Sequence, residues 1–278
     1  MTRQALSQID AVPQITPHIF AGTAPVAELT VARARPAPDL EWAGRELADV
    51  SAEHAVAWAA EAFGDDLVLS TSFGIQSAVM LHLANDVAPG IPVVWVDTGY
   101  LPEETYRFAE ELTQRLDLNL HVATAKLSPA RMEALHGKLW EGSREDLDTY
   151  HRLRKVEPLE RALRGLGAKA LLSGVRADQT NHRATLPRVG EHNRRAKVLP
   201  LLHWTSREVH TYLKEHDLPY HPFFELGYAT VGDWHSSRPA GAEDEHARDG
   251  RFSGRTQECG IHLELSPEAA ASLDASSL

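Results

Sequence analysis

Three short stretches with apolar centres, at residues 67–69, 92–96 and 169–173, and a further strand-like stretch at 118–122 punctuate a chain whose other apolar positions recur at helical spacing. Runs so short and unbroken suit strands buried on both faces. Between them the period lengthens. Val56, Ala59, Ala60 and Phe63 share one face of a helix predicted over 40–63, which Gly64 stops. Residues 78–83 read as a buried helix, and a longer one begins near Pro102 with Thr105, Phe108, Ala109, Leu112 and Leu116 facing inward. Val156, Leu159, Leu163 and Leu166 form a further helical stripe. A last helix over 206–216 sets Val209, Tyr212, Leu213 and His216 on one face, its histidine half-buried. Strands alternating with helices predict an α/β fold: a doubly wound, mostly parallel sheet covered on both faces.

Towards both ends the pattern weakens. Residues 1–38 carry Ala24-Pro25 and Arg35-Pro36-Ala37-Pro38 without sustained periodicity and are expected to be a poorly ordered extension. The α/β domain is placed at 39–232. Residues 233–265 lack strong periodicity and read as a mobile C-terminal arm or lid, with 266–278 as a tail.

A net charge of −11 excludes a general nucleic-acid binder while leaving room for a local basic pocket. No apolar run reaches the ~18 residues needed to span a bilayer. Residues 1–10 lack the apolar centre of a signal peptide, so a cytoplasmic protein without membrane contact is expected. The histidines show no zinc-like spacing, and no metal is assigned.

Candidate chemistry gathers where predicted strands end. The first runs into Ser70-Thr71-Ser72-Phe73-Gly74-Ile75-Gln76-Ser77 before a helix, a small-residue loop that suits a phosphate or sulfate, or serves as a serine-rich cap. The second ends in Asp97-Thr98-Gly99-Tyr100. From 150 to 197 the local charge turns positive, with Lys155, Arg176 and Arg183 prominent. A cationic loop at a strand's carboxyl end is where an anionic substrate would be held, and equally a solvated basic loop. Near the end, Glu258-Cys259-Gly260-Ile261-His262 holds the only cysteine among 278 residues. One sulfur makes no internal disulfide. It is a small hydrophobe or a nucleophile, and Arg248, Arg251, Arg255 and His262 stand near enough in sequence to lower a thiol pKa of about 8.5.

Together, Ser72-Phe73-Gly74-Ile75-Gln76-Ser77, Asp97-Thr98-Gly99-Tyr100, Gly137-Lys138-Leu139-Trp140, Lys155-Val156-Glu157-Pro158-Leu159, Arg176-x-x-Gln179-x-x-x-Arg183 and Glu258-Cys259-Gly260-Ile261-His262 resemble 3′-phosphoadenylyl-sulfate (PAPS) reductases. The resemblance runs in the family's order from about residue 61 to 262. It implies an adenine nucleotide alpha-hydrolase-like fold, related to the PP-loop ATP pyrophosphatases, with a catalytic cysteine on a C-terminal arm.

A sister group that reduces adenylyl sulfate (APS) usually holds a four-iron cluster on cysteines that correspond to Tyr150, His151, Asp233 and Ser236, so no iron–sulfur cluster is expected there. Cys259 is the implied nucleophile. Ser72, Phe73 and Gly74 are implied to hold anionic groups, Asp97 and Gly99 to face the adenosine, and Lys138 to meet the 3′-phosphate. Lys155, Arg176, Arg183, Arg248 and Arg251 are implied to bind the sulfonate and phosphate charge. His262 would orient the thiol or bind nucleotide. With no second cysteine to resolve the intermediate, thioredoxin or glutaredoxin is the expected electron donor, with no bound cofactor, and the family implies a homodimer. A cluster-free APS reductase is the nearest alternative. An adenylyltransferase would usually show Ser-Gly-Gly-x-Asp-Ser in the first loop, and a non-catalytic nucleotide-binding regulator would not need the cysteine.

Overall fold

The computed structural model describes residues 37–256 together with Glu258, Gly260 and Ile261. The expected extension up to residue 36, Cys259, His262 and the tail lie outside the described residues. Helix α1, Leu40–Glu46, starts where the Asp39 side chain accepts a hydrogen bond from Trp42 N at 2.9 Å. Helix α2, Ala52–Phe63, starts at Ser51, whose hydroxyl accepts from His54 N at 3.2 Å. The single helix predicted over 40–63 is therefore two. Arg188, buried, fills the break: its guanidinium donates to the carbonyls of Leu47 and Val50, and to Pro200 O at 3.1 Å.

Strand β1 (Leu67–Thr71), helix α3 (Ser77–Val87), strand β2 (Pro92–Asp97), helix α4 (Glu103–Leu116) and strand β3 (Asn119–Thr124) alternate as predicted. Helices α5 (Pro129–His136), α6 (Arg144–His151) and α7 (Glu157–Gly165) lead to β4 (Ala170–Ser173), and a π-helical turn, Arg152–Val156, joins α6 to α7. Pro158 explains that turn, because it has no N–H for the carbonyl four residues back and its ring crowds the preceding turn. A short α8 (Asn181–Ala184), strands β5 (Val189–His192) and β6 (Arg195–Val198), and α9 (Ser206–Glu215) complete the order.

The strands lie in the order β3-β2-β1-β4-β6-β5, parallel throughout except for β5 against β6. That last hairpin is absent from the sequence prediction; it turns through Asn193 and Arg194, both at positive φ, the conformation a two-residue hairpin loop requires. Side chains alternate across β1. Leu67 and Leu69 join the main core with α2, α3, α4 and α9, whereas Val68 packs with Val94, Leu171 and the α7 residues Leu159 and Leu163. Two expectations need correction. Strand β3 is an edge strand with Val122 about half exposed, and His216, at the end of α9, is exposed against the rings of Tyr212 and His82.

Candidate active site

The carboxyl ends of β1, β2 and β4 open onto one cavity of about 220 Å³. It sits where the chain, having built outward from β1 to β3, crosses back to β4, the place at which open parallel sheets bind ligands. Past Thr71 the backbone reverses through Phe73, at φ 45°, whose ring is buried 5.0 Å from that of Trp95. The reversal leaves Ser72 and Gly74 lining the cavity and removes Phe73 to the core. Ser77, in the first turn of α3, also lines it, with a buried hydroxyl that has no hydrogen-bond partner among the described residues. Hydroxyls beside a helix N-terminus are suited to an anion.

On the cavity wall Lys155, carried by the π-helical turn, places Nζ 2.6 Å from Asp233 Oδ2. The Thr98 hydroxyl donates to the other oxygen of Asp233 at 2.5 Å. Burial opposes ionisation of Asp233, but the Lys155 ammonium and the hydrogen bonds from Lys155 and Thr98 hold its carboxyl well below the usual range. Tyr150 and Phe252 place their rings 5.7 and 5.2 Å from Lys155 Nζ. His151, its pKa lowered to about 3 by burial and then by Lys155, stays neutral beside them.

The basic loop after β4 divides its work. Arg176 lines the cavity, buried, and its Nη1 has no hydrogen-bond partner among the described residues. Arg183 also lines it, but Nε and Nη2 donate to the two carboxylate oxygens of Glu258 at 2.8 and 2.9 Å. Arg248, half-buried, and Arg251, buried, reach the same cavity from the arm. Arg251 donates to the hydroxyls of Ser237 and Ser236 at 3.1 and 3.2 Å and lies over the Phe252 ring.

Ser72, Gly74, Lys155, Arg176, Arg183, Arg248 and Arg251 are thus brought together. Phe73, Asp97, Gly99 and Lys138 do not line the cavity. Asp97 accepts from Gly99 N and from the Tyr106 hydroxyl, both at 2.7 Å, so it shapes the loop after β2. Gly99, at φ +73°, admits no side chain: an added Cβ would come within 2.6 Å of Pro129. Lys138 is exposed, 3.5 Å from Glu141. Thr98, Thr180, Asp233 and Glu258 were not among the sequence-predicted site residues. Asp233 carries no local signal, because its partner Lys155 is distant in sequence.

Tyr150, His151, Asp233 and Ser236 are all buried, and none offers the thiolate that a four-iron cluster takes. Among the described residues no group of three or more His, Cys, Asp or Glu side chains is arranged to hold a metal ion, and no helix is long and apolar enough to cross a membrane.

Residues 66–239 match the family described as the phosphoadenosine phosphosulfate reductase domain. The chain is 58% identical over 241 residues to a phosphoadenosine 5′-phosphosulfate reductase of Synechocystis sp., covering 86% of this chain and 97% of that one. With the enzyme of the same name from Zymomonas mobilis the identity is 48% over 225 residues, covering 80% and 91%. Among solved structures, the PAPS reductase of Candida auris in a phosphate complex superposes with a TM-score of 0.63 at 28% identity, covering 72% of this chain and 96% of that one. An FMN adenylyltransferase of Candida glabrata, at TM-score 0.51 and 14% identity over 87% of this chain and 83% of that one, shares the fold alone. The chain has the PP-loop, adenine nucleotide alpha-hydrolase-like fold and belongs to the phosphoadenosine phosphosulfate reductase family.

Proposed function

We propose that this protein reduces 3′-phosphoadenylyl sulfate to sulfite and adenosine 3′,5′-bisphosphate, using Cys259 as nucleophile. The Cys259 thiolate attacks the sulfonate sulfur, the sulfur–oxygen bond to phosphate breaks, and the bisphosphate leaves with the electron pair. The enzyme then carries S-sulfocysteine. A dithiol supplied by thioredoxin or glutaredoxin attacks the Cys259 sulfur and expels sulfite; its second thiol closes the disulfide and frees Cys259. No resident cofactor enters either step.

The observation that carries this reading is the convergence, in one cavity, of the Ser72–Gly74 loop, Lys155, Arg176 and Arg248 with Ile261 of the cysteine-bearing segment. An anionic nucleophile approaching an anionic sulfonate needs that positive charge. Residues 233–265 act as the arm, which opens to admit the dithiol partner. The protein works as a cytoplasmic homodimer.

Replacing Cys259 with Ser tests the assignment. Binding of adenosine 3′,5′-bisphosphate should persist while sulfite release and S-sulfonation are abolished; turnover by the variant would remove Cys259 from the chemistry. A second reading, adenylyl sulfate as substrate, has one feature behind it: Arg248, which lines the cavity, resembles a sulfate-holding arginine of the sister group and is less expected in a PAPS reductase.

A further inference from the structure

The residues flanking Cys259 are docked at separate seats. Glu258 is 7% exposed, and its carboxylate receives two hydrogen bonds from Arg183, at 2.8 and 2.9 Å, and one from the Thr180 hydroxyl at 3.0 Å. The seat is itself braced: Arg183 N donates to Thr180 Oγ1 at 3.1 Å, and Arg183 Nη1 donates to Gln179. Gly260 is at φ +83°, where an added Cβ would lie 3.3 Å from Val156 and 3.5 Å from His151. The carbonyl of Ile261 lies 3.1 Å from His192 Nε2 on β5, and its side chain packs against the cluster of Val68 and Leu159.

A carboxylate one residue from a thiolate would add repulsion to an incoming sulfonate. The forked Arg183 guanidinium cancels that charge while fixing direction, as bidentate pairs do. Donors occupied by Glu258 cannot serve a substrate phosphate at the same time. We propose that Glu258 is a positioning residue, docking Glu258, Gly260 and Ile261 at the cavity through Arg183 and Thr180, so that Arg183 reads the arm rather than the substrate's charge. This rests on Cys259 being the nucleophile.

The test uses the full chain with E258Q and, as a milder variant, T180V. Single-turnover S-sulfonation of Cys259 by PAPS, followed by mass spectrometry, should slow about tenfold or more in E258Q, the factor expected for one charge-assisted hydrogen bond. Affinity for adenosine 3′,5′-bisphosphate should stay within about threefold, a change too small for a lost phosphate contact. Alkylation of Cys259 by iodoacetamide at pH ~9.5, where an ordinary thiol is ionised with or without docking, should speed several-fold as the segment loosens. T180V should move sulfonation and alkylation in the same directions by less and leave the affinity unchanged, and the double variant R183E/E258R should recover part of the sulfonation rate. Unchanged sulfonation in E258Q, or a bisphosphate affinity that falls as far as the rate, would overturn the positioning role. If the unaltered chain were not sulfonated at all, the proposed function would fail, and unchanged alkylation in E258Q would separately overturn the docking.

Discussion

Lys155 Nζ and Asp233 Oδ2 stand 2.6 Å apart in an ion pair whose side chains are 7% and 0% exposed, and this pair joins the π-helical turn to the start of the C-terminal arm. Removing one partner leaves a buried charge without compensation. D233N should therefore cost about 3 kcal/mol of stability, and the double variant K155M/D233N should recover much of it. Urea unfolding of the three variants checks this. A D233N loss below about 1 kcal/mol would mean that water relieves the lysine.

Stability should also fall on mild acidification. Burial lowers the pKa of His151 to about 3 and those of His221 and His235 to about 4, whereas an unfolded histidine titrates near 6.5. Between those values the unfolded chain binds more protons, so this contribution is full above pH ~6.5 and is lost as pH falls through about 4 for His221 and His235 and about 3 for His151. Asp233 and Glu258, both depressed, add a second loss, at lower pH, as pH falls from the ordinary carboxylate range through their folded values. Unfolding midpoints at pH 7 and pH 5 should differ, and H221Q should shrink the difference.

Arg176 brings to the cavity a buried guanidinium whose Nη1 has no hydrogen-bond partner among the described residues. If it meets the nucleotide's anionic groups, R176A should weaken adenosine 3′,5′-bisphosphate binding about tenfold or more. Calorimetry at two salt concentrations reads the loss; equal affinity for variant and parent would assign Arg176 to the fold instead.

Gly99 tests whether a motif glycine serves the substrate or the backbone. At φ +73° and against Pro129, G99A should cost about 2 kcal/mol through strain. A variant of normal stability with a raised Michaelis constant for PAPS would return Gly99 to the binding site.

What was legible in the sequence follows burial. Strands β1, β2 and β4 are interior, covered on both faces, and write themselves as unbroken apolar runs. The β5–β6 hairpin does not, because its strands are four residues each, partly polar, and set by a turn at Asn193 and Arg194. The break between α1 and α2 had a local signal, the capping serine at 51, which the continuing apolar spacing masked. In the site, Ser72 and Arg176 could be named because they stand in motifs at strand ends, and Lys155 and Arg183 because they stand in sequence motifs on helical segments. Phe73 shares a motif yet belongs to the core, since a positive φ turns it inward. Asp233 and Thr98 were silent: a buried pair formed across distant segments leaves no periodicity to read.

Sulfite release by the purified chain, with thioredoxin and its reductase and with PAPS and adenylyl sulfate offered separately at matched concentrations, tests the central claim most directly. The account predicts rapid release from PAPS, a strong preference for it over adenylyl sulfate, and no release from C259S. Equal or faster release from adenylyl sulfate would contradict the substrate assignment, and sulfite from neither would contradict the reductase reading itself.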